Sequence, residues 1–153
     1  MKILDVGDKV PDFSLNDQHD HVFRLSEVTG TKNLVIYFYP KDDTPGCTAE
    51  ACHFRDEHQA FVDNDAVVIG ISADSTESHR NFARKNNLNY TLLSDPDQEV
   101  RKLFGIRNDF FGLIPGRVTF VVDKAGVIRH RFHSQWSMSK HMTTALEILR
   151  NLS

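Results

Sequence analysis

The sequence predicts a three-layer α/β domain, with a sheet between layers of helix. Two near-continuous apolar runs, residues 34–39 and 66–71, enclose a stretch with helical spacing, and a later pair of runs, 118–122 and 127–132, encloses a turn sequence. The first arrangement implies parallel strands joined by a crossover helix; the second implies an antiparallel hairpin. At 153 residues, 40% hydrophobic and 25% charged, the chain has the balance of an ordinary folded domain, and one domain over residues 1–153 is expected.

Each element has its own signal. Residues 12–15 and 22–25 alternate apolar with polar around the polar stretch 16–21, which reads as an N-terminal hairpin. The run 34–39 is apolar throughout and ends at Pro40, as suits a strand covered on both faces. Thr44-Pro45-Gly46-Cys47 then starts a helix, with Thr44 at the N-cap and Pro45 at the first helical position. Ala51, Phe54, His58, Phe61 and Val62 continue it at helical spacing to about residue 64. Thr48, Glu50, His53, Arg55, Asp56 and Glu57 are read as its solvated face. The second buried strand, 66–71, completes a right-handed βαβ unit. A polar helix over 75–87 and a short strand at 90–93 follow. Asp95-Pro96-Asp97-Gln98 opens another helix, which Gly105 stops. The late hairpin turns on Asp123-Lys124-Ala125-Gly126, and the last helix presents Met142, Ala145, Leu146, Leu149 and Leu152.

Composition excludes several functions. A net charge of −3 leaves no basic footprint, so nucleic acid is not an expected partner. The apolar runs are far shorter than the ~20 residues that span a bilayer, so no membrane role is expected. The N-terminal residues lack the apolar stretch of a secretory signal, which points to the cytoplasm. Two cysteines are too few for a disulfide scaffold and, alone, for a structural zinc site.

The cysteines carry the chemistry. Cys47 falls in the first turn of its helix, where backbone N–H groups lack partners and the helix dipole is positive; both favour thiolate over thiol. A fall in pKa from ~8.5 to ~6 raises the thiolate fraction at pH 7 from about 3% to roughly 90%. The turn that leads into it, after a buried strand, is where open α/β folds bind ligands. The bland alternative is a buried packing cysteine. Cys52, five residues on, is either packing or a redox partner; with four intervening residues the pair is not a thioredoxin-type motif. Cys47, Cys52, His53 and His58 do not converge on a metal, because residues five apart on a helix point about 140° apart. The eight histidines are scattered and read mostly as solvated, His58 as partly buried packing. Arg117 either ends a strand in solvent or reaches the thiolate.

Pro40-Lys41-Asp42-Asp43-Thr44-Pro45-Gly46-Cys47 resembles the peroxidatic motif of peroxiredoxins: a proline, three residues, threonine, two residues, cysteine. Cys52 and the run Tyr37-Phe38-Tyr39-Pro40 resemble the peroxiredoxin Q branch, also called bacterioferritin comigratory protein. The segment Pro115-Gly116-Arg117-Val118-Thr119-Phe120 looks like that family's arginine strand, and the likeness begins at Gly7 and covers nearly the whole chain. The resemblance implies a thioredoxin-like three-layer fold, its central mixed sheet flanked by helices, and a thiol-dependent peroxidase without metal, haem or flavin. It implies Cys47 as peroxidatic nucleophile, Cys52 as resolving thiol in a Cys47–Cys52 disulfide, and Thr44 and Arg117 as donors to thiolate and peroxide, with Pro40 part of the same motif. It also implies hydrogen peroxide and organic hydroperoxides as substrates, thioredoxin or a similar dithiol as reductant, and a monomer, dimers being known in the branch. Two other readings compete: a thiol–disulfide oxidoreductase or redox sensor on the same fold, and a non-catalytic binding domain using the apolar loop Phe110-Phe111-Gly112-Leu113-Ile114.

Overall fold

The computed structural model describes residues 2–152. One seven-stranded mixed sheet runs through it, built from β1 (Ser14–Asp17), β2 (Val22–Arg24), β3 (Asn33–Phe38), β4 (Ala66–Ser72), β5 (Thr91–Ser94), β6 (Val118–Val122) and β7 (Ile128–His133) in the order β2-β1-β5-β4-β3-β6-β7. β3, β4 and β5 are parallel, while β1 adds to β5, and β6 to β3, antiparallel. The expected N-terminal hairpin forms, with Ser14 opposite Arg24; its turn is held by Asp17, whose Oδ1 accepts from the amides of His19 and His21. The late hairpin forms too, and Gly126 takes φ +81° there, a left-handed conformation that glycine adopts freely.

β3 is buried at every position and splits the core by alternation. Val35 and Tyr37, with Tyr39 just beyond the strand, face one layer: α1 (Pro45–Asp56), α2 (His58–Asp63), α3 (Thr76–Lys85) and α5 (Met138–Arg150). Leu34, Ile36 and Phe38 face the other, where α4 (Glu99–Leu103) and Leu4, Phe13 and Leu25 cover the sheet. Gly70 on β4 makes room for Tyr37: a Cβ there would lie 2.8 Å from the ring.

Three local expectations need correction. The helix read as continuous to residue 64 breaks at Glu57, which leaves helical geometry (φ −102°, ψ 13°), and α2 restarts with a bond from the Ala60 amide to the Glu57 carbonyl. Asp95 serves α4 from a distance, accepting from the amides of Val100 and Arg101, while the residue at the N-cap is Gln98 in a left-handed conformation. Glu50, read as solvated, is wholly buried, and so are two histidines, His79 and His141. Each of these three sits on the inward stripe of its helix, where a polar partner replaces water.

Candidate active site

The loop after β3 starts at Pro40, half-buried at the bend, and turns into α1. It is anchored from beneath by Asp42, whose Oδ1 accepts from the Tyr39 hydroxyl (2.6 Å) and whose Oδ2 meets Ser78 Oγ (2.9 Å) and His79 Nδ1 (2.7 Å). The Asp42 amide donates to Asp74, which also accepts from Ser72 Oγ, and His79 Nε2 faces the Leu93 carbonyl at 3.0 Å. Asp42, Asp74 and His79 present ligand atoms within 4.8 Å of one another, the one such cluster among the described residues. Their contacts are already spent on tying the loop to β4, α3 and β5.

Thr44 is the N-cap of α1 by backbone conformation, and Pro45 its first residue, as the sequence predicts. The Thr44 hydroxyl, however, makes no cap bond and donates back to the Lys41 carbonyl at 2.9 Å. Cys47 is therefore the third helical residue, buried against Tyr37 and Tyr39 in the core, while Cys52 is half-buried on the same helix; both are free thiols. Arg117, just before β6, is buried rather than exposed. Its Nη2 lies over Gly46, where a Cβ would come within 3.2 Å, and its Nη1 donates to Glu50 Oε1 at 2.7 Å. Burial works against the Arg117 charge, but the nearby Glu50 and Cys47 outweigh it and hold its pKa above the ordinary value. The tertiary fold thus brings Thr44, Cys47 and Arg117 to one place, with Pro40 at the rim.

Three further groups complete the surroundings. Glu50 is one turn along α1 from Cys47, and burial pushes its pKa up to about 7 against the pull of Arg117. His141 on α5 faces it, Nδ1 3.4 Å from Glu50 Oε2, and burial lowers its pKa to about 4. Arg101 on α4 donates to the carbonyls of Gly116 (2.6 Å) and Tyr39 (3.1 Å), clamping the segments on either side of the site. Positions 47, 50, 51 and 54 form one helical stripe, so spacing put Glu50 on the inward face, although its charge argued for water. His141 was readable in the same way, four residues before Ala145. Nothing in the sequence marks Arg101. The loop Phe110 to Ile114 stands outside this cluster with its apolar side chains exposed, Phe110 edge-on to Trp136 at 5.8 Å.

A cysteine held this way at a helix start on a thioredoxin-like sheet marks a thiol-dependent peroxidase, and known proteins agree. Peroxidoxin BcpB of Mycobacterium tuberculosis superposes with a TM-score of 0.90 at 38% identity over 98% of this chain and 99% of that one. Peroxiredoxin Q of Xanthomonas campestris gives 0.85 at 29% identity over 92% and 90%. The AhpC/TSA family model matches residues 6–131, and the chain belongs to that family. The chloroplastic peroxiredoxin Q of Sedum lineare is 47% identical over 146 residues, covering 95% of this chain and 78% of the relative. That relative overturns one expectation: like its counterparts in Triticum aestivum and Arabidopsis thaliana it is chloroplastic, so the cytoplasmic reading is withdrawn. An N-terminus without a secretory signal was never evidence for the cytoplasm over other compartments.

Proposed function

We propose that Cys47 is the peroxidatic cysteine of this thiol-dependent peroxidase and Cys52 its resolving thiol. The observation that carries the reading is the Arg117 guanidinium, buried, fixed by Glu50 and lying over Gly46 beside Cys47. The Cys47 thiolate attacks the terminal oxygen of a hydroperoxide in line with the O–O bond. The S–O bond forms, and the O–O bond releases an alkoxide or hydroxide that takes a proton. Arg117 and the free amides of the first turn of α1 stabilise the charge that develops along that line, in a site where burial strengthens each interaction. The Thr44 hydroxyl, within its loop, turns from the Lys41 carbonyl to the incoming oxygen. Pro40 closes the rim without an N–H that would hold water. Cys47 becomes a sulfenic acid, and Cys52 condenses with it to a disulfide with loss of water, ahead of oxidation to the sulfinic state. A dithiol of the thioredoxin type restores both thiols by exchange.

Hydrogen peroxide and an organic hydroperoxide, each with thioredoxin or dithiothreitol as reductant, test the reading. Turnover that is lost in Cys47→Ser, and a Cys47–Cys52 link within one chain after a single equivalent of peroxide, are expected. Disulfide exchange without peroxide consumption would favour the oxidoreductase reading instead.

A further inference from the structure

Glu50 has an oxygen without a donor. Oε1 accepts from Arg117, but Oε2 is buried, unpartnered and aimed at His141 Nδ1, 3.4 Å away. The state of that ring follows from its other contacts. His141 Nε2 is 2.8 Å from the Ser134 carbonyl, which only accepts, so Nε2 carries a proton. Nδ1 lies 2.7 Å from Thr119 Oγ1. In a neutral ring Nδ1 carries one lone pair and no proton, and both Thr119 Oγ1 and Glu50 Oε2 face it. A wholly buried oxygen facing an acceptor is stable when it is itself the donor, as the O–H of a carboxylic acid.

We propose that Glu50 is protonated and shares that proton with His141 while Cys47 is a thiolate, and that it ionises when Cys47 is oxidised. The proposal rests on Cys47 as the reacting thiolate. The groups facing Glu50 account for it. From α1 there is Cys47, from β6 Thr119 and just before it Arg117; from α5 there is His141, itself approached by His133; Tyr37 and Tyr90, both feeling Glu50, come from the sheet side. The phenols and the imidazole are neutral, so the buried charges are Arg117 and the thiolate, which cancel. A neutral Glu50 leaves Arg117 undivided for the thiolate. Attack on a hydroperoxide moves the sulfur's negative charge onto the departing oxygen, which takes up one proton, matching the one that Glu50 gives up, and leaves as water or an alcohol. Arg117 then has no counterion but Glu50. Removal of a nearby like charge lowers a carboxyl pKa. Burial holds the Glu50 pKa at about 7, in its acid form at pH 6, and loss of the thiolate's charge shifts the group toward its base form. Glu50 and His141 are in this sense positioning residues, which set how much of Arg117 the sulfur commands.

Infrared difference spectroscopy tests this on the Cys52→Ser protein at pH 6, where the sulfenic acid persists. Glutamate with an isotopically labelled carboxyl assigns the signal without a mutation, because Glu27, Glu57, Glu77, Glu99 and Glu147 are all exposed. A protonated glutamate C=O stretch is expected in the reduced protein, replaced by a carboxylate stretch when one equivalent of peroxide is added. His141→Gln should move the stretch by changing its hydrogen bond. No acid stretch in the reduced protein, or one unchanged by oxidation, overturns the proposal. Mass spectrometry of the same sample separates the two readings. If Cys47 has gained no oxygen atom, its peroxidatic role has failed; if it has and the spectrum is unchanged, the proton pair has.

Discussion

Oxidation should unwind part of α1, because Cys47 and Cys52 both lie within it and cannot join there. Residues five apart on an α-helix are separated by about 7.5 Å along the axis and about 140° around it, which puts their Cα atoms roughly 8 to 9 Å apart. A disulfide needs about 7 Å or less, with converging Cβ atoms. The packing limits how far the unwinding spreads. Opening the segment from Cys47 to Cys52 exposes Ala51 and releases its carbonyl from the Tyr90 hydroxyl (2.9 Å), together on the order of 2 to 3 kcal/mol, and it also draws on the burial of Cys47 and the bond from Arg117 to Glu50, so that figure is a lower bound. Going on through Phe54, fully buried and stacked on Tyr37 at 4.6 Å, costs about 3 kcal/mol more. The opening should therefore stop short of Phe54. Hydrogen exchange measures it directly. In reduced protein the amides between Cys47 and Phe54 should show protection of at least roughly 30- to 150-fold, since each 1.4 kcal/mol is a factor of ten. One equivalent of hydroperoxide should abolish that protection and leave β3 and β4 unaffected. Equal protection in both states, or a cysteine link found only between chains, would refute the reasoning.

Arg117→Ala should slow the second-order reaction with peroxide about 10²-fold or more, the scale of a lost oxyanion donor, and Thr44→Val should act in the same direction; stopped-flow oxidation of Cys47 reads both. Stability should be nearly flat in pH from about 4.5 to 6.5 as far as Glu50 and His141 are concerned. The native pair holds one proton on Glu50, raised to about 7, and the unfolded pair holds one on histidine, so neither state binds more. His141→Gln removes that balance: the native state then binds more protons than the unfolded one, and stability should fall as pH rises from about 4.5 to 7, by up to roughly 1.4 kcal/mol per unit. Urea denaturation across that range checks it, and a slope no steeper than that of the parent protein counts against a raised Glu50 pKa. Gly70→Ala should cost about 1 to 3 kcal/mol in the same assay, because its Cβ would lie 2.8 Å from the Tyr37 ring and 2.9 Å from Leu92 Cδ2 inside the sheet's helical face.

The sequence by itself determined the parts that local pattern controls. The unbroken apolar runs of β3 and β4 required a strand covered on both faces, and the Thr44-Pro45 start placed Cys47 in a first helical turn without reference to any neighbour. The two hairpins were legible for the same reason, their turn residues and alternation lying within a few positions of each other. The linear pattern ran out where a residue's role depends on what packs against it. From its own pattern Arg117 read equally well as exposed or inward, and only the resemblance favoured inward; the fold places it there, with β6 antiparallel to β3 and the side chain over Gly46. Glu50 was taken for a solvated residue because a charged side chain is normally left in water; only α5 and β6, closing over it with His141 and Arg117, make burial tolerable. The loop before Cys47 is held through Asp42 by His79, 37 positions away, a contact that no spacing rule can register. Long-range polar pairing is set by three-dimensional juxtaposition rather than by periodicity, so the nucleophile was visible in the chain and the groups that govern its charge were decided by the fold.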